Sequence, residues 1–408
     1  MRVAIVTESF LPTLNGVTTS VCHVARELRS RGHHVLVVAP DPAPSTWEGI
    51  PVVACPSVSV RQFPTGLPTP GLRHALELFA PDVLHAASPF VLGARALHWA
   101  DRTQVPAVAI YQTDMPSYVA RHAPGPIGAG ASNAAWRWIR RTHAHADRTL
   151  APSHCSLEEL RIHGVPRTDL WRRGVDLERF NPAWREDSGA MELRRALAPG
   201  GEVLVGYVGR FAAEKELWRL AEVATIPGTR LVLVGDGPAR SDIGAMLTEA
   251  VAGAPGRPNR APIFLGERSG DALSRAYAAF DVFVHTGTRE TFGQTLQEAA
   301  AAGLPVVAPA RGGPLDLVRE GETGLLFDPD RPGALRDAVD AIVGDALLRE
   351  RMGRVARSQV ADRSWGRLTE ELIDHYRTAI ATRATRATRA TPQRTELTGR
   401  SAAHHGAA

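Results

Sequence analysis

The sequence has almost no lysine. Of its 47 lysine and arginine residues, only Lys215 is a lysine, and all the others are arginines. An ammonium is a compact point charge and a guanidinium is a planar fork, so the two groups are not interchangeable at a binding site. A drift towards arginine would spare one position either because that position needs an ammonium or by chance, and we adopt the first interpretation. We therefore interpret Lys215 as a site residue.

Cysteine is also scarce. The three cysteines, Cys22, Cys55 and Cys155, are far apart and show no C-x-x-C spacing. This argues against a disulfide framework or a zinc site and favours a reducing compartment. The histidines form no cluster with metal-ligand spacing either. The sequence therefore predicts no metal and no bound cofactor.

Long apolar runs are absent as well. No stretch approaches the roughly 20 apolar residues that cross a bilayer, and the apolar run at residues 3–6 is too short for a signal peptide. We expect a cytoplasmic protein. Residues 135–141 alternate aromatic residues with arginines, which is typical of a packed helix with a basic side or of a segment resting on anionic lipid. Peripheral contact with the inner face of the plasma membrane is thus one of two open expectations.

Several common motifs are missing. There is no G-x-G-x-x-G dinucleotide fingerprint, no G-x-x-x-x-G-K-[ST] P-loop and no G-x-S-x-G nucleophile elbow. These absences argue against a dinucleotide-dependent oxidoreductase, a P-loop NTPase and a serine hydrolase of those types. The net charge of +4 comes from dispersed arginines without an aromatic platform, so we expect no nucleic-acid partner.

What the sequence does contain is a strand–helix pattern repeated in two halves. Residues 2–8 and 35–40 predict strands, and between them apolar residues recur at helical spacing until Gly32. A second run of the same kind begins at residue 202. The pattern predicts an α/β protein with two Rossmann-like domains.

The domain boundaries follow from changes in this pattern and in composition. The Ala-Thr-Arg triplets near the C-terminus cannot form a core, so we predict disorder there. The predicted divisions are a first domain at 1–175, a linker at 176–201, a second domain at 202–362, an amphipathic helix at 363–380 and a disordered tail at 381–408.

The segment 281–316 is the most informative stretch, and it predicts a strand, a polar turn, a helix and a second strand. Glu290 falls in the turn, and Glu298 lies about two turns further along, on the helix. Free N–H groups at a helix N-terminus bind anions, and carboxylates accept hydrogen bonds from hydroxyls. The segment thus suits a ligand with both phosphates and hydroxyls. The alternative is a helix-capping Glu290 and a solvated Glu298.

Functional candidates from both halves fall where predicted strands end, which is the ligand-binding edge of an open α/β sheet. These candidates are Gly16 and Gln112 in the first half and Arg210, Lys215, Gly266 and Glu290 in the second. Arg210 and Lys215 lie in one loop and supply the two cations that a departing diphosphate requires. For Arg210 taken alone, a surface charge is the simpler interpretation.

Four motifs together resemble one family. They are GRFAAEK (209–215), the Glu290-x7-Glu298 pair, AGLPVV (302–307) and Gly312-Gly313. Their combination, over about residues 1–380, resembles the retaining glycosyltransferases of family four, which have the GT-B fold. The opening VAIVTESFLPTLNGV (3–17) and the strings GRFAAEKE and ETFGQTLQEA are most similar to actinobacterial GDP-mannose-dependent α-mannosyltransferases that act on glycolipids.

This resemblance implies a first, acceptor-binding domain that faces a second, donor-binding domain across a cleft, with a C-terminal helix that crosses back to the first. It implies a nucleotide-sugar donor, a lipid or glycolipid acceptor and no metal. The implied donor-binding residues are Gly16, Gly209, Arg210, Lys215, Gly266, Arg268, Glu290, Gly293, Gln294, Thr295 and Glu298. Arg210, Lys215 and Glu290 are the implied catalytic residues, and Gln112 and Asp114 are expected near the hexose or acceptor.

Individual roles are also implied by the resemblance. Arg210 and Lys215 would bind the diphosphate, Glu290 the hexose hydroxyls and Glu298 the ribose. Backbone amides near Gly16 and at residues 293–295 would complete the phosphate site, and residues 266–268 would lie against the base.

Two departures from the family pattern affect these expectations. Asn15-Gly16 stands where many relatives carry Gly-Gly, and Gln112 stands where many carry a histidine near the reacting sugar carbon. Glutamine can hydrogen-bond a hydroxyl but, unlike histidine, cannot take up a proton and become charged. Two other functions stay open: the same fold using UDP-glucose or UDP-N-acetylglucosamine on a lipid or soluble sugar, and a sugar-nucleotide-binding protein without transfer activity.

Overall fold

The computed structural model describes residues 1–60, 63–67, 69–117, 125–253 and 261–390. Within these ranges the chain forms two parallel sheets, one in each half, covered by helices. None of the described helices is both long enough and apolar enough to cross a bilayer.

The first sheet is built from apolar segments that are buried along almost their whole length, as expected for parallel strands covered on both faces. The strands of the first half are β1 (Arg2–Thr7), β2 (His34–Pro40), β3 (Thr46–Trp47), β4 (Ile50–Cys55), β5 (Ser57–Val60), β6 (Phe63–Gly66), β7 (Val83–Ala87), β8 (Ala107–Ile110), β9 (Arg148–Ala151) and β10 (Thr168–Leu170). Eight of them form a sheet in the order β10-β9-β8-β7-β1-β2-β4-β3. Only the pairing of β3 with β4 is antiparallel in this sheet, and β5 and β6 form a separate hairpin.

Helices connect these strands. They are α1 (Gly16–Ser30), α2 (Pro70–Phe79), α3 (Leu92–Thr103), α4 (Gly125–His143) and α5 (His154–Ile162). The first helix begins where it does because the side chain of Asn15 accepts hydrogen bonds from the N–H groups of Val17 and Thr18, at 2.9 and 3.0 Å. This cap fixes Gly16 at the carboxyl edge of β1.

The second half contains a six-stranded parallel sheet in the order β13-β12-β11-β14-β15-β16, with β11 (Val203–Val208), β12 (Thr229–Val234), β13 (Ile263–Gly266), β14 (Val282–Val284), β15 (Val306–Pro309) and β16 (Gly324–Phe327). The helices of this half are α6 (Ser188–Leu197), α7 (Leu220–Ala224), α8 (Arg240–Ala252), α9 (Gly270–Ala279), α10 (Gln294–Ala301), α11 (Pro314–Leu317), α12 (Ala334–Val343) and α13 (Ala346–Val360). The architecture agrees with the predicted α/β class.

The segment 176–201, which the sequence predicts to be a linker, is more ordered than that. It carries a 3-10 helix at Pro182–Glu186 and the helix α6. Phe180 and Leu197 are buried in the core of the second half. The weak hydrophobic pattern concealed this because only a few side chains of the segment reach the core.

The last helix, α14 (Trp365–Ala390), packs on the first half. The indole N–H of Trp171 donates to the carbonyl of Leu368 at 2.7 Å, and the hydroxyl of Tyr376 lies 2.6 Å from Nδ1 of His85. Leu372 and Tyr376 are fully buried in the same core as β1 and β2. The helix therefore completes the hydrophobic core of the first half.

The predicted disorder from residue 381 is wrong for residues 381–390, which continue α14. Arg383 is buried, and its guanidinium binds Asp147 at 3.0 Å and Asp101 at 2.9 Å. Arg386 reaches the second oxygen of Asp147 at 3.2 Å. The repeat has no apolar stripe, so composition could not reveal that its arginines pair with the buried carboxylate of Asp147. Residues 391–408 lie outside the described ranges.

Candidate active site

The carboxyl edges of the two sheets meet through direct contacts. The hydroxyl of Thr291, in the loop after β14, donates to the carbonyl of Gln112, in the loop after β8, at 3.2 Å. The carboxylate of Asp316 accepts from the backbone N–H of His154 at 2.8 Å. We call the region between these two edges the cleft, and ligand sites are common at such interfaces between domains.

Lys215 and Glu290 are in contact at this cleft. Lys215 ends a 3-10 turn after β11, and Glu290 lies in the loop after β14, which is the neighbouring strand. The ammonium Nζ donates to Oε2 of Glu290 at 2.7 Å. The hydroxyl of Thr286 donates to the carbonyl of Lys215 at 2.6 Å and fixes the turn against the loop. The pair is thus held by two adjacent strands.

The surroundings of this pair set its charge. Burial raises the pKa of Glu290, but Lys215, His285 and Arg173 outweigh that effect, so the net shift is downward. Nε2 of His285 lies 3.6 Å from the Glu290 carboxylate, yet burial lowers the pKa of His285 to about 4. At neutral pH Glu290 is therefore a carboxylate and His285 a neutral imidazole.

Arg210 lies in the same loop as Lys215, at the end of β11. Its side chain is about two-fifths exposed (42%), and its guanidinium is 3.7 Å from the carboxylate of Glu214. Gly209 precedes it with φ +156°, in a region that favours glycine. A Cβ there would lie 2.7 Å from the hydroxyl of Tyr207. The structure thus places Arg210 beside the Lys215 turn with a side chain accessible to a ligand.

Helix α10 brings the second glutamate to the site edge. Gly293 caps the helix with φ +98°, and Gln294 and Thr295 form its first turn, whose N–H groups are available to a ligand. Oε2 of Glu298 accepts from the hydroxyl of Tyr277 at 2.9 Å. Burial raises the pKa of Glu298 to about 7, despite the lowering effect of the hydrogen bonds from Tyr277 and Gln294. Glu298 therefore has hydrogen-bond partners other than Lys215 and Glu290.

Three other predicted residues occupy more peripheral positions. Gly266 ends β13 with φ +70°, and the exposed Arg268 follows it. Since β12 separates β13 from β11, these two lie further along the same edge of the sheet. The carboxylate of Asp114 accepts from the backbone N–H of Ser117 at 3.0 Å and has no described contact with the other candidates.

Sequence reasoning missed Arg173. Its side chain is buried, and Nη2 donates to Oε1 of Gln112 at 2.5 Å. A Cβ built on Gly16 would lie 2.8 Å from Nη1 of Arg173. Arg173 thus joins Gly16 to Gln112, the two candidates of the first half. A signal was present, because Arg173 closely follows β10 at the same sheet edge, but β10 is only three residues long and has no apolar run that would mark this edge in the sequence.

The fold and the cleft define a GT-B glycosyltransferase, and comparison with known proteins agrees. Residues 14–179 match the model of Glycosyltransferase Family 4, and residues 191–359 match that of Glycosyl transferases group 1. The chain belongs to glycosyltransferase family 4, and it is an enzyme of the glycosyltransferase class. The predicted family and fold are therefore confirmed.

Relatives of known name span nearly the whole chain. The chain is 45% identical to the GDP-mannose-dependent alpha-mannosyltransferase of Mycolicibacterium smegmatis over 94% of this chain and 99% of that protein. It is 40% identical to the protein of the same name from Corynebacterium glutamicum, over 93% and 90%. The sulfoquinovosyl transferase SQD2 of Arabidopsis thaliana is 34% identical over 85% of this chain and 67% of that protein.

Solved structures support the fold alone. Anabaena HepE in complex with UDP and glucose has a TM-score of 0.74 at 19% identity and covers 92% of this chain and 99% of its own. Sucrose-phosphate synthase from Thermosynechococcus elongatus has a TM-score of 0.75 at 22% identity, over 93% and 100%.

Proposed function

We propose that this protein transfers an α-mannosyl group from GDP-mannose to a lipid or glycolipid acceptor at a membrane surface, with retention of configuration. The observation that carries the proposal is the Lys215–Glu290 contact of 2.7 Å at the cleft, beside the accessible guanidinium of Arg210. The names of relatives at 40–45% identity support mannose as the sugar and GDP as the nucleotide.

In this proposal the site acts through fixed charges. Arg210 and Lys215 face the diphosphate, whose negative charge grows as the bond to the sugar breaks. Glu290 accepts hydrogen bonds from the hexose hydroxyls, and its contact with Lys215 keeps both groups in place before the donor binds. The leaving phosphate then takes the proton of the acceptor hydroxyl on the same face of the sugar, so no histidine is needed at the position of Gln112.

The remaining contacts follow the same logic. The N–H groups of Gly293, Gln294 and Thr295 at the start of α10, and of Gly16 at the start of α1, face the phosphates. Glu298 binds the ribose hydroxyls, and Gly266 and Arg268 lie against the base. Gln112 and Asp114 contact the hexose or the acceptor. Because Arg210 and Lys215 supply the positive charge, the reaction requires no divalent metal, and activity should persist in excess EDTA.

Membrane contact is proposed for the exposed side of α4. Trp136 and Ile139 of this helix are buried, whereas Trp138 is 48% exposed and Arg137, Arg140 and Arg141 are exposed beside it. An exposed tryptophan flanked by arginines suits an anionic lipid surface. Flotation with phosphatidylglycerol vesicles tests this: binding should fall when Arg137, Arg140 and Arg141 are all changed to Gln. Equal binding to phosphatidylcholine vesicles would count against it.

Calorimetric titration with GDP and UDP, followed by turnover of GDP-mannose with lipid extracts, tests the proposed function. We expect tight binding of GDP, weak binding of UDP, and a new mannosylated lipid in the mass spectrum. The likeness to a structure that holds UDP and glucose favours UDP-glucose as the second candidate donor. Preferential binding of UDP and transfer of glucose would replace the first proposal by this one.

A further inference from the structure

Arg173 is an unusual cation for a protein interior. Its side chain is only 7% exposed, and no carboxylate in the described part of the chain forms a salt bridge with it. Burial lowers its pKa to about 10 even though Glu290 raises it, so the guanidinium is still charged at neutral pH. A buried charge without a paired ion is costly, so an anion that reached this guanidinium would stabilise it.

The hydrogen bonds of Arg173 leave part of the guanidinium unused. Nη2 donates to Oε1 of Gln112, but Nε has no partner within the described residues. The amide nitrogen Nε2 of Gln112 is likewise buried and without a described partner. Because Oε1 of Gln112 already accepts from Arg173, the remaining polar group of this side chain, the amide Nε2, can only donate. The two side chains together form a cluster of donors without an acceptor.

This cluster lies against the N-terminus of α1. Nη1 of Arg173 is 2.8 Å from where a Cβ on Gly16 would be. The side chain of Asn15 accepts hydrogen bonds from the N–H groups of Val17 and Thr18, whereas no described group accepts from the N–H of Gly16. The helix has 15 residues, so its N-terminus carries the partial positive charge of a full macrodipole. A guanidinium, an amide and a helix N-terminus therefore converge on one place.

The backbone of Arg173 is held by the second half of the protein. Nε2 of Gln297 donates to the carbonyl of Arg173 at 2.9 Å, and Nε2 of Gln294 donates to the carbonyl of Gly174 at 3.0 Å. Both glutamines are on α10, the helix whose N-terminus also faces the cleft. The backbone of Arg173 thus has a fixed position relative to both halves.

We propose that Arg173, oriented by Gln112, is a third donor-binding cation, which contacts the distal phosphate of the nucleotide diphosphate together with the N–H of Gly16. This inference rests on the proposed function, because it assigns a residue to the same donor site. In the donor, the distal phosphate is the one that carries the sugar. Arg173 therefore stabilises the oxygen that leaves.

The test compares the affinities of GDP and GMP by calorimetry, because only GDP has the distal phosphate. Arg173→Gln should weaken GDP binding by about 10- to 100-fold, the scale of a lost hydrogen bond to a charged group, and leave GMP binding within about twofold. Arg173→Lys keeps the charge but not the fork, so it should give an intermediate affinity. Arg172→Gln is the matched control, because Arg172 makes no described hydrogen bond to Gln112, and it should leave both affinities unchanged.

Gln112→Glu provides a second route if Arg173→Gln unfolds. The new carboxylate would neutralise Arg173 without changing the shape of the site, so GDP affinity should fall while GMP affinity stays the same. Equal loss of GDP and GMP affinity in Arg173→Gln, or no loss of either, would overturn the inference.

The result that would overturn the proposed function differs from the result that would overturn the role of Arg173. If the wild-type protein binds UDP in place of GDP, the same comparison with UDP and UMP tests Arg173. If the wild-type protein binds no nucleoside diphosphate at all, the proposed function itself is overturned.

Discussion

The ammonium of Lys215 lies 2.7 Å from the carboxylate of Glu290, although 75 residues separate them in the sequence. Neighbouring strands, β11 and β14, bring the two groups together. Each neutralises the other before the donor arrives, and neither needs to move far to meet a phosphate or a sugar hydroxyl. Their contact is the basis of the first prediction.

Lys215→Ala should lower kcat/KM by about 30- to 1000-fold, which corresponds to about 2–4 kcal/mol of lost transition-state stabilisation. Initial rates with GDP-mannose measure this. The substitution also leaves Glu290 partly buried without its partner, so the free energy of unfolding should fall. The double variant Lys215→Met with Glu290→Gln should recover stability but not activity. Full turnover by Lys215→Ala would remove this residue from the mechanism.

Glu298 should make stability depend on pH. Its pKa is about 7 in the folded protein and about 4.3 in the unfolded chain. Between these values the native state holds a proton that the unfolded state has released, so this group's contribution to the free energy of unfolding falls as pH rises. The side chain of the Glu298→Gln variant cannot ionise. Its Tm should therefore rise relative to that of the wild type as the pH increases from 5 to 8. A difference in Tm that is the same at every pH would contradict this.

The same carboxyl should couple donor binding to proton release. Ribose hydroxyls donate to a carboxylate better than to a neutral acid, so the GDP affinity of the wild type should rise as pH increases from 6 to 8. In Glu298→Gln this rise should be smaller. Titrations in two buffers of different ionisation enthalpy would reveal the released proton, and an identical pH profile in the variant would refute the coupling.

Two glycine substitutions should separate activity from stability. A Cβ on Gly16 meets the end of the Arg173 side chain, which can move, so Gly16→Ala should fold normally and lose about 10- to 100-fold in activity by displacing the guanidinium. A Cβ on Gly313 would lie 2.5 Å from the carbonyl of Phe292, which is rigid backbone. Gly313→Ala should therefore cost about 1–3 kcal/mol of stability. Thermal unfolding and initial rates of both variants check this contrast.

The contact of Arg383 with Asp147 should be important for stability. Asp147 is fully buried and accepts from Arg383, Arg386 and the N–H of Ala107. Arg383→Met should destabilise the protein by about 3–5 kcal/mol, because it leaves a buried carboxylate with less compensation. Arg377→Ala, on the same helix but exposed, is the control and should change stability by no more than about 0.5 kcal/mol. Denaturant unfolding distinguishes them; similar curves for the two variants would disprove the claim.

The sequence revealed what depends on local pattern. The apolar run before Arg210 and the run before Glu290 predict strands, and the polar residues that follow them lie at one sheet edge in the structure. The two cations and Glu290 could be found in this way because each follows a buried strand. The roles assigned to them are still predictions.

What the sequence concealed depends on partners far along the chain. Arg383 belongs to a repeat with no apolar face, and its helix is held by carboxylates more than 230 residues away. Arg173 is a cation in an irregular segment, and only the fold shows that Gly16 and Gln112 lie beside it. No periodicity marks such contacts, because they involve single side chains at unrelated positions.

The helix α14 has a consequence for the order in which the protein matures. Its Leu372 and Tyr376 fill the core beneath β1 and β2, yet they are translated after the whole of the second half. The half that is translated first is thus the half that is finished last, after the other half has already emerged. Until then the first half of the nascent chain exposes the apolar surface that α14 later covers. Such a surface promotes aggregation, so we expect chaperones to bind the chain during its synthesis.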